Sequence, residues 1–506
     1  MIYLKKMIHI FPKIIKAEIP KYMKKNIFLI GWGAVDLPDQ IEVAKELDKK
    51  HNISYWVTNI KGIGVEESDF PNTIFHDLFD ALNLLPAQSI DSTKFTPPSE
   101  KFIKEMVETE SILISMMNKK FEWMGTEQRK NYYYQLLQYW WGVLQTKKPD
   151  IIIFPAPPHT LYDYVIYALS KKTNIKTIIF EFTRIGDRML IANHFEDGYP
   201  GFKKKIEEYK NKEVQIEDLP KDIKEHYFIQ TEELDDPIPP DTKEILGIER
   251  IKRVVGYKGE SIKKSIKDFS IFYKSARYIV KKFKSNLQKE YGNVVNKNID
   301  IEAQFIYFTL HYQPESTTCP KGGVYNSQIL TIRTLAAALP KGWKLYIKEH
   351  PAQWLPRGFN FFSYRYKGFY REISKINGVE VLPIFMDSRF IASKAKAVVT
   401  TTGTPGWEAV LQGTPAIIFG YTWYRNCPGI FQVRSTKDCK KALEIIQNTK
   451  KISQQDILCY LAAFGAISFR AYLEWYTRDL SSLTPEENKR NIVQVILKYI
   501  DSTETV

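Results

Sequence analysis

Leu345-Tyr346-Ile347-Lys348-Glu349-His350-Pro351 and Ala397-Val398-Val399-Thr400-Thr401-Thr402-Gly403-Thr404-Pro405-Gly406-Trp407-Glu408 decide how this chain is read. Leu345 to Lys348 alternates and is rich in strand formers, so His350-Pro351 falls just past a strand's carboxyl end, where proline has no N–H for further pairing. Ala397 to Thr400 is a second short apolar strand, and Thr401 to Thr404 is a hydroxyl- and glycine-bearing turn opening a helix over Trp407 to Gln412. Gly413-Thr414-Pro415 ends that helix, and Ala416 to Phe419 reads as a third strand. The result is a strand–helix–strand unit with its loops on one edge of a parallel sheet.

A helix start preceded by glycine and threonine hydroxyls suits a phosphate, because unpaired N–H groups and the helix dipole both favour an anion. Lys348 adds a point charge and His350 a switchable proton. A His-Pro dipeptide also serves simply as a strand stop, and a Thr/Gly turn simply as a cap. Their coincidence at strand carboxyl ends in one α/β unit favours a ligand site.

Tyr307-Phe308-Thr309-Leu310-His311-Tyr312-Gln313-Pro314-Glu315, Gly322-Gly323-Val324-Tyr325, Lys348-Glu349-His350-Pro351, Thr402-Gly403-Thr404 with Gly406-Trp407-Glu408-Ala409, and Phe419-Gly420 with Trp423-Tyr424-Arg425 follow one another in order. This set resembles bacterial capsule and surface-polysaccharide biosynthesis proteins, and within them the GT-B glycosyltransferases that use CMP-activated acidic sugars such as Kdo. The resemblance is good over the last two fifths of the chain and loose over the first half. It implies an α/β fold of GT-B type: two Rossmann-like domains facing a cleft, a helical insertion and C-terminal helices. The expected division is residues 1–241 for the acceptor domain, 242–298 for a basic helical insertion, 299–445 for the nucleotide-sugar donor domain and 446–506 for helices crossing back. The donor-binding candidates are His311, Gln313, Glu315, Gly323, Lys348, His350, Thr402, Gly403, Thr404, Glu408 and Arg425, the last for a sugar carboxylate or phosphate.

The implied activity is inverting glycosyl transfer from a nucleotide sugar, CMP-activated, to a glycan or lipid-linked glycan acceptor. The chain has no Asp-x-Asp, so a metal-bridged diphosphate has no obvious ligands; no metal and no cofactor is expected. A CDP-dependent glycerophosphotransferase-like polymerase and a non-catalytic capsule assembly or export partner are the competing readings.

With 506 residues the chain suits two domains and an insertion, and 44% hydrophobic with 14% aromatic residues is a globular composition. Four cysteines without C-x-x-C spacing suggest neither zinc nor a disulfide framework, which fits a reducing cytoplasm. Lysines interrupt the apolar N-terminal residues, and no run is long and apolar enough to span a bilayer. The expected location is cytoplasmic, peripheral at the inner face of the membrane. A net charge of +14 calls for an anionic partner: anionic lipid, an acidic glycan or a capsule assembly complex. No nucleic-acid-binding motif is present, so nucleic acid is not expected.

The chain opens with a strand at Asn26 to Ile30, Gly31-Trp32-Gly33, a helix at Gln40 to Lys49 and a strand at Ile53 to Val57. Asp36 occupies the third glycine's place in a dinucleotide fingerprint, which argues against NAD. In the implied fold Gly31 to Asp36 faces the cleft. Ser99 to Lys147 is helical and aromatic-rich, more readily a buried helix pair than a sugar platform. Asp150 to Phe154 and Thr177 to Phe180 are strands around a helix at Leu161 to Lys171. They place His159, Asp163 and Glu181 near strand ends as candidate catalytic bases, alongside His350 on the donor side. Which of them is the base is left open. Asp187 to Asp197 reads as a loop for acceptor contacts through Arg188, His194, Glu196 and Asp197.

Gly201 to Asp241 ends in the linker-like Pro237-Ile238-Pro239-Pro240, and Arg250 to Asn298 is a basic helical pattern suited to an anionic membrane or a helical seam. Helices are expected at Ser327 to Ala338, Lys440 to Gln447, Gln455 to Thr477 and Pro485 to Tyr499. Replacing Lys263, Lys264, Lys267, Lys274, Lys281, Lys282 and Lys284 with Gln should lower cosedimentation with anionic vesicles. Undiminished binding would assign the membrane-facing charge elsewhere.

Overall fold

The computed structural model describes residues 24–33, 37–121, 123–231, 287–313, 318–354, 365–448 and 452–502. The first sheet is built from β1 (Asn26–Ile30), β2 (Asn52–Thr58), β3 (Ile74–Asp77), β4 (Ile151–Phe154), β5 (Lys176–Phe182) and β6 (Arg188–Ala192). Their spatial order is β6-β5-β4-β1-β2-β3, with β6 antiparallel to β5 and the remaining pairs parallel. The second sheet uses β7 (Phe305–Thr309), β8 (Lys344–Lys348), β9 (Val379–Val381), β10 (Ala397–Thr400), β11 (Ala416–Ile418) and β12 (Ile430–Gln432), ordered β12-β11-β10-β7-β8-β9 and parallel throughout.

Both sheets therefore have the doubly wound order that reverses beside the first strand of the unit. Their central strands are continuous apolar runs, such as Ile151–Phe154 and Ala397–Thr400, because helices cover both faces and no residue turns to water. Two Rossmann-like units in one chain make this a GT-B type α/β fold.

The chain's end returns to the first unit. β13 (Phe469–Arg470) pairs antiparallel with β6, and Arg470 grips Asp187 with two bonds of 2.7 and 2.8 Å. The helix Pro485–Asp501 lies on the helix Asp39–Lys50, where buried Asn488 donates to Asp39 at 2.6 Å. The helix expected over Gln455 to Thr477 is divided: it runs Gln454–Ile467, and the strand demand of β6 captures the next residues before a short helix at Trp475–Arg478.

The expected acceptor loop at 187–197 begins as strand β6, and Arg188 and Glu196 are spent internally. Arg188 Nη2 donates to Asp222 at 3.0 Å, and Glu196 accepts from the Tyr167 hydroxyl and from Lys171 Nζ at 3.2 Å. The strands β3, β9 and β12 had no separate sequence signal, being three or four residues long at or near sheet edges. Gly31 to Asp36 and the basic pattern are described only in part: residues 34–36 and 250–286 lie outside the described residues. The end of that pattern, Leu287–Val294, is a helix whose Tyr291 is buried in the second unit's core, so it is packing rather than a projecting arm.

A third aromatic core joins the units. Trp407, Trp423 and Tyr424 from the second unit pack with Phe202, Tyr460 and Phe464. Trp407 Nε1 donates to His226 Nε2 at 3.0 Å, and the two rings stack. Burial pushes the His226 imidazole down from about 6.5 to about 4. The unfolded chain then binds a proton that the folded chain refuses between those values, so stability falls as pH drops from about 6.5 to about 4. His226→Gln should flatten that slope by up to about 1.4 kcal/mol per pH unit in urea titrations. An unchanged slope would remove His226 from the account.

Candidate functional site

In the second sheet the order reverses between β7 and β10, and their exit loops meet there. His311, just past β7, accepts the Thr401 N–H on Nε2 at 2.8 Å and lies 3.0 Å from the Thr400 hydroxyl. An accepting Nε2 puts the neutral ring's proton on Nδ1. Gly403 N–H donates to Thr400 Oγ1 at 3.0 Å, which closes the turn. A Cβ at Gly403 would sit 2.7 Å from His311 Cε1, so the glycine is required by this ring as well as by any ligand.

The same loop rests on a buried charge. Glu349 and Arg365 have fully buried side chains and pair through two bonds of 2.9 and 3.0 Å. Arg365 also donates to Gln313 Oε1 at 2.8 Å and to the His311 carbonyl at 2.9 Å. Gln328 and Gln353 complete the lattice, bonding the backbone and side chain of His311 and Gln313. His311 and Gln313, expected at the donor, are engaged in bracing the strand exits through these bonds. Sequence pattern did not single out Arg365, which belongs to no motif, or Glu349, hidden between two residues of greater apparent interest.

Lys348 is buried, with Nζ on the Met386 carbonyl at 2.6 Å. Burial pushes its ammonium down to about 8 against the attraction of Asp387. It remains mostly charged at neutral pH. His350 is half-buried, its N–H bonded to Glu349 at 2.7 Å and its ring 5.9 Å from Tyr312.

The Thr401 and Thr402 hydroxyls are buried without hydrogen-bond partners among the described residues. The helix after them begins at Pro405 rather than Trp407, with Thr404 as an N-cap whose side chain makes no cap bond and Glu408 half-buried in the first turn. Gly323 has φ of +55° in a short turn beside Lys321. Arg425 is turned toward the first unit, donating to the Phe195 carbonyl at 3.1 Å. Glu315 lies outside the described residues.

On the first unit, Asp163 accepts the N–H groups of His159 and Thr160 at 3.1 and 2.7 Å, and burial raises its carboxyl above the ordinary range. It shapes the loop after β4. His159 Nδ1 lies 2.8 Å from the Pro157 carbonyl, which can only accept, so in the neutral ring Nε2 carries the lone pair. Glu181 lies inside β5 and pairs with Lys321 of the second unit at 2.6 Å, both side chains buried. The structure thus commits Asp163 and Glu181 to structural partners and leaves His159 with a basic nitrogen.

Among the described residues no group of three or more His, Cys, Asp or Glu is placed to hold a metal, and no helix is long and apolar enough to cross a membrane.

Residues 264–472 match the model of the family described as capsule polysaccharide biosynthesis protein, a span that includes every described donor-side candidate. The chain is thus a GT-B type α/β protein that resembles capsule polysaccharide biosynthesis proteins over that span. Among solved structures it is similar to the beta Kdo 2,7 transferase of Thermosulfurimonas dismutans KpsC, at 12% identity over 76% of this chain and 96% of that one, with a TM-score of 0.28. The beta Kdo 2,4 transferase of the same protein aligns at 10% identity over 64% and 82%, with a TM-score of 0.30. A UDP-GlcNAc 2-epimerase from Methanocaldococcus jannaschii aligns at 14% identity over 94% and 100%, with a TM-score of 0.23. No curated protein matches the chain.

Removing one partner of a buried ion pair leaves the other charge uncompensated, at a cost of about 3–5 kcal/mol. Arg365→Met or Glu349→Gln should each lose stability on that scale in denaturant titrations, with the double variant losing less than the sum. A loss below about 1 kcal/mol in both would mean that the pair does not hold the loop.

Proposed function

We propose that the chain is an inverting, nucleotide-sugar-dependent glycosyltransferase of capsular or surface polysaccharide biosynthesis. The donor in this reading is a CMP-activated acidic sugar such as Kdo, and the acceptor a glycan or lipid-linked glycan presented at the inner face of the membrane. The observation that carries it is the capsule-family match over 264–472, which runs through the exit loops of β7, β8 and β10 on which His311, Lys348, His350, Thr401 and Thr402 lie.

The chemistry follows from those groups. As the bond from the anomeric carbon to the phosphate oxygen breaks, its electron pair leaves on the phosphate and the sugar becomes oxocarbenium-like. Fixed positive potential at the departing oxygen lowers that barrier. Lys348, predominantly an ammonium at neutral pH, and His350 supply the potential without a bound metal. His159 Nε2 takes the acceptor hydroxyl's proton as its oxygen attacks the opposite face of the anomeric carbon. Asp163, which holds the His159 backbone, positions that base.

Thermal shifts with CMP, CDP, UDP, GDP and NAD test the donor. A ligand at a hundredfold its Kd adds about 2.7 kcal/mol of stability, and CMP is expected to give the largest rise. His159→Gln should lower kcat by about 10²–10⁴ while the melting temperature and CMP response persist. Preference for CDP would favour transfer of a phosphoryl-linked group, and silence across the panel would favour a non-catalytic assembly role.

A further inference from the structure

Arg434 stands two residues beyond β12, at the same strand-carboxyl edge as the Thr401–Thr402 turn. Its backbone N–H goes to Asp438 Oδ2 at 3.1 Å, and that carboxylate also takes the Ser435 hydroxyl at 2.8 Å, so Asp438 serves the start of the next helix. Of the guanidinium, Nη1 donates to the Phe419 carbonyl, while Nη2 is buried with no hydrogen-bond partner among the described residues. The plane lies 4.1 Å over the Tyr421 ring, and the Arg425 guanidinium is 5.5 Å from the same ring. Among the described residues neither arginine has a carboxylate at ion-pair distance, whereas Arg188, Arg365 and Arg470 each do.

Arg425 is buried and Arg434 half-buried, and two guanidiniums at one aromatic ring with no counter-charge among the described residues is a costly arrangement, since charge taken from water is ordinarily paired. The cluster also adjoins the donor turn. Gly420 is pressed so closely upon it that a Cβ there would lie 2.2 Å from Thr402 Cγ2, and Gly420 N–H bonds the Thr401 carbonyl at 2.7 Å. The unpartnered Thr401 and Thr402 hydroxyls thus lie across one glycine from the loop that Arg434 braces.

We propose that Arg434, held over Tyr421 and beside Arg425, is an oxyanion-recognition residue of the donor site, taking a carboxylate of the transferred sugar or a phosphate of the nucleotide. Stacking fixes the guanidinium plane and leaves its edge to donate in the fork geometry that matches either anion. The identity of the ligand rests on the glycosyl-transfer reading; the anion subsite itself does not.

The test is a melting-temperature titration of the full chain with inorganic phosphate, with free Kdo as a sugar acid, and with glucose as a neutral control, chloride holding ionic strength constant. Wild type should be stabilised by at least one of the two anions and not by glucose. Arg434→Gln should melt, without ligand, close to the wild-type temperature, because loss of the Phe419 bond and the Tyr421 contact is offset by removal of an unsatisfied donor, and should bind the effective anion about tenfold or more weakly. Loss confined to phosphate assigns the nucleotide, and loss confined to Kdo assigns the sugar carboxylate. Anion protection that depends on Arg434 while CMP, CDP and UDP remain silent would sustain the subsite and sink the glycosyl-transfer reading. A wild type blind to both anions, an unchanged affinity in the variant, or a large fall in its ligand-free melting temperature would each overturn the proposal.

Discussion

A carboxylate taken wholly out of water must be paired and hydrogen-bonded, and the second unit meets that requirement at Glu349, whose side chain is fully buried. Glu349 follows β8, and its oxygens receive the Arg365 guanidinium, the Tyr370 hydroxyl and the His350 N–H. Arg365 then reaches the exit of β7 through Gln313 and the His311 carbonyl. His311 in turn holds the Thr401 N–H at the exit of β10. One desolvated ion pair thereby sets the mutual positions of three strand exits, because each group in the chain of bonds has lost its alternative partner, water. Lys348, His350, Thr401 and Thr402 sit on the loops that this lattice holds, and His350 joins it through its backbone N–H.

The units are joined by different physics. The helix Pro405–Leu411 begins at the donor turn and ends in the shared aromatic core, where Trp407 meets His226 and Trp423 meets Phe464. Beside it, the Lys321–Glu181 pair and the Arg425 bond to Phe195 tie polar groups across the same interface. A change in how the units sit would disturb the helix start that borders Thr401 and Thr402. Packing between units and the shape of the donor turn are therefore coupled through one short helix.

Three arginines illustrate how a single residue type divides by environment. Arg365 is fully neutralised and architectural, Arg188 closes the first unit against the helix Lys221–Thr231, and Arg434 is braced by stacking with a donor left over. Sequence pattern singled out Arg188 for acceptor contacts and passed over Arg365 and Arg434, which stand outside any motif or charge run. Arg425 drew notice because it lies in a motif, yet its guanidinium is spent partly on a carbonyl of the other unit.

Legibility in the sequence followed the range of the interactions concerned. The strands Asn26–Ile30, Ile151–Phe154, Phe305–Thr309, Lys344–Lys348 and Ala397–Thr400 were readable because apolar runs, glycines and prolines act on the neighbouring residues alone. The doubly wound class and the loops carrying Lys348, His350 and Thr402 followed from that local pattern. Tertiary structure alone decided that Glu181 meets Lys321, that Asp163 caps the loop of His159, that His311 is a strut, and that Arg365 and Arg434 matter at all. The physical reason is that a charge's role depends on what shares its desolvated volume, and those partners are set by the fold rather than by sequence neighbourhood, from 16 residues apart for Arg365 and Glu349 to 140 for Lys321 and Glu181. Periodicity locates the edge of a sheet; only the packed fold determines which polar groups at that edge are already satisfied and which still lack a partner.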